Sequence, residues 1–163
     1  MFRKMYAKRT LFVLLALLAV GLTWGSKAVQ ALSPDPATLL YVKSMGVSFY
    51  DVGGPKRQPF AVVDIVDGNG VPVNGALVVG DWSGCFKEVN DSALTQTYFY
   101  TQPDGTVVQV DGRAVIASQK TFSCWGAKQT CYFTFTITGV SKAGMTYVPV
   151  NGYGTSWSRT PCS

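Results

Sequence analysis

The sequence predicts an exported, single-domain, all-β protein built as an antiparallel sandwich or barrel, and three observations predict it. The chain opens on a secretory leader. Beyond the leader, apolar and polar residues alternate with period two and show no 3.6-residue stripe. Clusters of Gly, Pro, Asn and Asp recur between the alternating runs, as they do where short strands are joined by tight turns.

The leader is residues 1–31. Arg3, Lys4, Lys8 and Arg9 precede an apolar run from Leu11 to Trp24, and Val29 and Ala31 stand at the minus-three and minus-one positions of a cleavage site. A retained membrane anchor would want about 20 apolar residues, more than this run supplies. No Cys follows it, which disfavours a lipoprotein. The expected destination is outside the cytoplasm: secreted, periplasmic or on the cell surface, with no membrane span once the leader is cleaved.

Removing the leader changes the charge balance. Arg3, Lys4, Lys8, Arg9 and Lys27 account for five of the 14 basic residues and for none of the nine acidic ones, so residues 32–163 carry nine of each sign. Phosphate neutralisation needs clustered Lys and Arg, and here only Lys56 and Arg57 adjoin. A nucleic-acid partner is therefore not expected. Residues 32–163 suffice for one domain with a real core and are few for two.

The strands follow in order. Runs near 42–51, 59–67 and 75–83 alternate, with "AVVDIVD" setting Ala61, Val63 and Ile65 against Val62, Asp64 and Val66. Trp82 is in phase with Ala76, Val78 and Gly80, so small residues make room for an indole facing the other sheet. Gly80 beneath it permits close approach. Further strands are expected near 95–102, 106–111, 113–124, 131–140, 146–149 and 153–160. In "CYFTFTITGV", Cys131, Phe133, Phe135 and Ile137 oppose Tyr132, Thr134, Thr136 and Thr138. Turns are expected at "VGGPKRQP", "DGNG", "PDG", "VDGR" and "PVNGYG".

All four cysteines, Cys85, Cys124, Cys131 and Cys162, lie beyond the leader, and export favours disulfides. Four cysteines allow three connectivities. A hairpin of "KTFSC" with "CYFTF" around "WGAKQT" would pair Cys124 with Cys131 and Phe122 with Phe133 in one register. Cys85 would then tether Cys162 and the C-terminus. Zinc lacks support, since there is no CxxC spacing and the chain has no His.

The stretch "VVDIVDGNGVPVNGALVVGDWSG" resembles the recurring pattern V-x-V-x-D-x-x-G-x-P-V-x-G-A-x-V-x-G-x-W-S-G of bacterial secreted immunoglobulin-like domains, in the style of invasin and intimin repeats and of transthyretin-like accessory modules. "PDGTV" is similar to the second turn of such modules, "YFTFTITGVSKAGMTYVP" to a later strand and turn, and "YVKSMGVSFYDV" to their opening strand. The resemblance covers about residues 41–150 and implies an immunoglobulin-like antiparallel β-sandwich over 32–163. It further implies a binding, spacer or adhesion module, often fused to secreted enzymes, with no catalytic residues to carry over. The chain departs from the pattern in "CFKEVNDSALTQTYFY" and "SCWGAKQTC", which are expected to be presented loops.

Chemistry is sparse. "DIVDGNG" superficially matches a calcium loop through Asp64, Asp67 and Asn69, but Gly75 or Ala76 stands where the later acidic ligand belongs. A tight turn explains the same residues, and no metal or cofactor is expected. Without His, neither a Ser-His-Asp nor a Cys-His arrangement can form, and Ser83 lacks the GxSxG elbow. Glu88 is the only glutamate, and the acids show no focus for glycoside hydrolysis. No catalytic residue is therefore assigned. Aromatics remain: Tyr98, Tyr100, Trp125, Tyr132 and Trp157 are candidate ligand-binding residues, since exposed rings stack on sugars or anchor proteins. The expectation is a non-catalytic binding or adhesion module for a polysaccharide or a cell-surface protein. Its alternatives are a structural spacer or assembly protein of the cell envelope that uses strand edges, and a small secreted hydrolase working through carboxylates.

Overall fold

The strongest alternation in the sequence forms the spine of the fold. In the computed structural model, which describes residues 33–124 and 132–149 and the backbone of 156–159, β1 (Leu39–Asp51) and β2 (Lys56–Asp67) make a long antiparallel hairpin. Next come β3 (Leu77–Gly84), β4 (Glu88–Leu94), β5 (Gln96–Thr101) and β6 (Val107–Ala117). The last are β7 (Phe122–Ser123), β8 (Phe133–Ser141), β9 (Thr146–Tyr147) and β10 (Ser156–Arg159). They form two sheets, ordered β5-β6-β2-β1-β9, with β7 also on β2, and β10-β8-β3-β4. Pairing is antiparallel except between β1 and β9. Among the described residues no helix is long and apolar enough to cross a membrane.

The two sheets pack face to face as a sandwich. The expected inward set Ala61, Val63 and Ile65 of β2 is fully buried, as are Phe133 and Phe135 of β8 and Trp82 of β3. The indole tilts against Phe135 at 4.8 Å between ring centroids. The Phe135 ring lies over Gly80, where a Cβ would come within 2.3 Å of its Cζ. The small residue thus makes the room the sequence indicated.

"DGNG" is a turn. Asp67 Oδ1 accepts from the amides of Asn69 at 2.8 Å and Val71 at 2.9 Å, so this carboxylate is spent on the backbone that follows it.

Four expectations are corrected. "VDGR" does not reverse the chain: β6 runs straight through it, with Gly112 at φ 71° absorbing an extra residue opposite β5, where the register shifts between Gln96 and Tyr98. The segment 113–124 is interrupted because Pro59 in β2 has no amide to offer the neighbouring strand. There the Gln58 side chain donates to Ser118 O at 2.6 Å instead, and β7 resumes the ladder at Arg57 and Lys56. The presented loop "CFKEVNDSALTQTYFY" is largely strand. β4 completes the second sheet, and Thr95 crosses to the first, its hydroxyl donating to Val73 O at 2.6 Å and accepting from Ala76 N at 2.8 Å.

Nor do Phe122 and Phe133 pair in a hairpin. β7 pairs with β2, and β8 pairs with β3 in the other sheet. The two rings do meet, at 4.5 Å between centroids and tilted by 38°, but across the sandwich, with Phe49 and Phe86 also against Phe133. Register therefore no longer joins Cys124 to Cys131. Neither Cys85 nor Cys124 is a free thiol, while Cys131 and Cys162 lie outside the described residues.

Candidate functional site

Of the five candidate ligand-binding residues, the fold brings two together. Tyr98 and Tyr100 are two apart on the edge strand β5, so they share a face, and that face is the one carrying Arg113 of β6, which pairs with Gln96. Tyr100 is 47% exposed and Tyr98 half-buried. Tyr132, 59% exposed, immediately precedes β8 of the other sheet and is not part of this group. The side chain of Trp157, whose backbone pairs with Phe135, and all of Trp125 lie outside the described residues.

Beside the tyrosines stands a polar constellation that no single segment of sequence announces. Arg113 grips Asp64 of β2 in a fork, Nε to Oδ1 at 2.7 Å and Nη2 to Oδ2 at 2.9 Å, and Ser44 of β1 donates to the same carboxylate at 2.7 Å. Burial alone would raise the Asp64 pKa, but these hydrogen bonds and the charges of Arg113 and Lys43 outweigh it and hold the carboxyl below its ordinary value. The carboxylate in turn holds the guanidinium above its own. Such a bidentate pair is planar and fixed in orientation.

Next to it opens a cleft of about 290 Å³, lined by Lys43, Asp64, Gln109 and Asp111 with Val66 and Val110 on its apolar side. Val110 is the cross-strand neighbour of Tyr98, so ring and cleft adjoin. Asp111 accepts from Thr97 at 2.5 Å and from Gln109 at 2.9 Å, and these bonds lower its pKa. The site thus offers two rings, a cation at Lys43, and side-chain donors and acceptors held in place by their neighbours.

A second group lies where β4 of one sheet meets the end of β6 in the other. Ser118 donates to Glu88 Oε2, which also accepts from Gln119 N at 3.2 Å, so Glu88 of one sheet is tied to the other. Asp91, 8% exposed, sits opposite Gly80. Its pKa is pushed up to about 6, first by burial and then by the Glu88 carboxylate, against a smaller opposing pull from the Trp82 indole. Trp82 Nε1 and Asp91 Oδ2 are both buried without a hydrogen-bond partner. Sequence showed no focus among the acids; folding brings these two together.

Among the described residues no group of three or more His, Cys, Asp or Glu is arranged to hold a metal ion. Comparison with family models, with curated proteins and with solved structures found no match.

Proposed function

We propose that this chain is an exported, non-catalytic binding module of the immunoglobulin-like kind whose contact surface is the Tyr98 and Tyr100 face, and whose ligand is a polysaccharide or the glycan of a cell-surface protein. One observation carries the reading. Two tyrosines on one face of an edge strand adjoin a cleft edged by fixed polar groups, with the Arg113–Asp64 pair alongside. Sugar rings are recognised by this combination, an aromatic plane under the ring's C–H face and planar side chains bonding its hydroxyls. The leader-like N-terminus supports export, and disulfides at Cys85 and Cys124 belong to the same reading.

The test is binding by the chain expressed with its own leader and purified as it is secreted, screened against a glycan array and insoluble cell-wall polysaccharides. Selective binding that falls roughly tenfold or more in Tyr100→Ala, each tenfold being about 1.4 kcal/mol, is the expected result. Binding unchanged in both Tyr100→Ala and Tyr98→Ala, or none across the panel, sinks it. A second reading, an envelope assembly protein that joins its partners by strand addition, is favoured by the uncharged edge of β5.

A further inference from the structure

β5 is an edge that its own sequence leaves unguarded. Natural edge strands are commonly blunted by Lys, Pro or an edge bulge; Gln96–Thr101 reads QTYFYT, without charge or proline, and the bulge between Gln96 and Tyr98 inserts its extra residue in β6, not in β5. Among the described residues it pairs only with β6. Phe99 is 66% exposed, the most of any large apolar residue described.

The hairpin fixes which backbone groups face outward. Gln102 N donates to Thr106 O at 2.8 Å, which makes 102 and 106 a hydrogen-bonded pair. Bonded and non-bonded pairs alternate along an antiparallel ladder. With Tyr100 opposite Val108 and Tyr98 opposite Val110, the even positions bond inward to β6. The amides and carbonyls of Thr97, Phe99 and Thr101 therefore point away from the sheet.

Those three residues are symmetric about Phe99, and so is the sequence: Thr97-Tyr98-Phe99-Tyr100-Thr101 reads the same in both directions. An antiparallel copy centred on Phe99 meets its own complement at every position. Phe99 faces Phe99 of the partner subunit, Tyr98 faces Tyr100 of the partner subunit, and Thr97 faces Thr101 of the partner subunit. The outward groups all fall in hydrogen-bonded pairs. Each match is of a kind that stabilises sheets, aromatic on aromatic and Thr on Thr, and the arrangement closes as an isologous two-fold contact.

We propose that β5 is a homodimer interface, at which two copies of this chain join edge to edge, antiparallel, about a two-fold axis through Phe99. The first sheets of the two copies become one continuous sheet. The proposal uses the edge of β5 and the glycan reading uses its face, so either can fail alone. Were both right, the tyrosine faces would lie side by side, and a repeating polymer would be held bivalently.

The test is sedimentation equilibrium on the secreted chain, from micromolar to millimolar, with two variants checked for folding by thermal unfolding. Phe99→Lys sets like charges opposite each other at the axis. Thr101→Pro removes an outward amide and leaves every bond to β6 intact. A reversible dimer whose dissociation constant rises roughly tenfold or more in each variant, or about 1.4 kcal/mol, is expected. A wild-type chain monomeric throughout, or a dimer indifferent to both substitutions, overturns the proposal. If Phe99→Lys does not fold, Thr101→Pro decides alone.

Discussion

Phe133 and Phe99 are the same residue type on strands of the same sandwich, and the fold treats them oppositely. Phe133 is fully buried and touches Phe49, Phe86 and Phe122 from three directions. Phe99 is 66% exposed on a strand that, among the described residues, has a neighbour on one side only. The neighbourhoods decide this. β8 lies between β3 and β10 with its alternate residues turned onto the opposing sheet, whereas the β5–β6 hairpin runs out at the sandwich edge. Aromatic content in a strand therefore does not say whether the rings serve the core or a partner. Position in the sheet order does.

The sharpest way to break this comparison is truncation. Phe133→Ala should cost about 3–5 kcal/mol, the range for emptying a buried aromatic site, and urea unfolding would read it as a lowered midpoint. Tyr100→Ala should stay within about 0.5 kcal/mol, as surface substitutions do. A Tyr100→Ala loss comparable to that of Phe133→Ala would mean that the tyrosine face is covered by structure and not open to a ligand.

Much of the buried half was legible in advance, and the reason is local. Period-two alternation in "AVVDIVD" and "FTFTI" reports inward positions directly, and Gly80 under Trp82 reports a ring that needs room. What sequence missed was long-range. Phe122 and Phe133 do make contact, but apolar matching says only that two residues touch, not whether they touch along a hairpin or across two sheets. "DGR" carries a local turn signal, yet β6 is held straight by ladders on both sides, Val62 with Val115 on β2 and Tyr98 with Val110 on β5. β4 was missed because "EVNDSAL" hides no apolar stripe; its pairing with β3 makes it a strand. The Arg113–Asp64 fork joins residues far apart in the chain and was invisible for the same reason.

A middle-sized test bears on how tightly the core is built. Gly80→Ala would drive a methyl to 2.3 Å from Phe135 Cζ and 2.6 Å from Thr136 O. Backbone on one side and a packed ring on the other leave little to yield, so a loss of about 1–3 kcal/mol is expected, the usual cost of overpacking. No loss of midpoint in Gly80→Ala would mean that the Trp82 and Phe135 layer can shift. The contrast with the open edge at β5 would then soften.

The smallest effect separates two carboxylates on the two sheets. Asp64 is held low by Arg113 and Ser44, so its contribution is present above its unfolded pKa and fades as pH falls. Asp91 runs the other way. Its folded pKa, about 6 against an ordinary 3.8, means that the native state binds the proton more tightly than the unfolded chain does. Its ionisation therefore costs stability as pH rises from about 4 to about 6. Glu88 and Asp81 face it with like charge, and the Trp82 indole opposes them only in part. Asp91→Asn removes the ionisation and keeps a side chain able to donate toward Glu88. It should be more stable than wild type by about 1 kcal/mol at neutral pH, a shift discounted for solvent reaching this edge, with the difference closing near pH 4. Urea midpoints for the two proteins across that range would show the curves converging as acid is added. Parallel curves would mean that the Asp91 carboxyl does not gain its proton more readily in the folded chain than in the unfolded one.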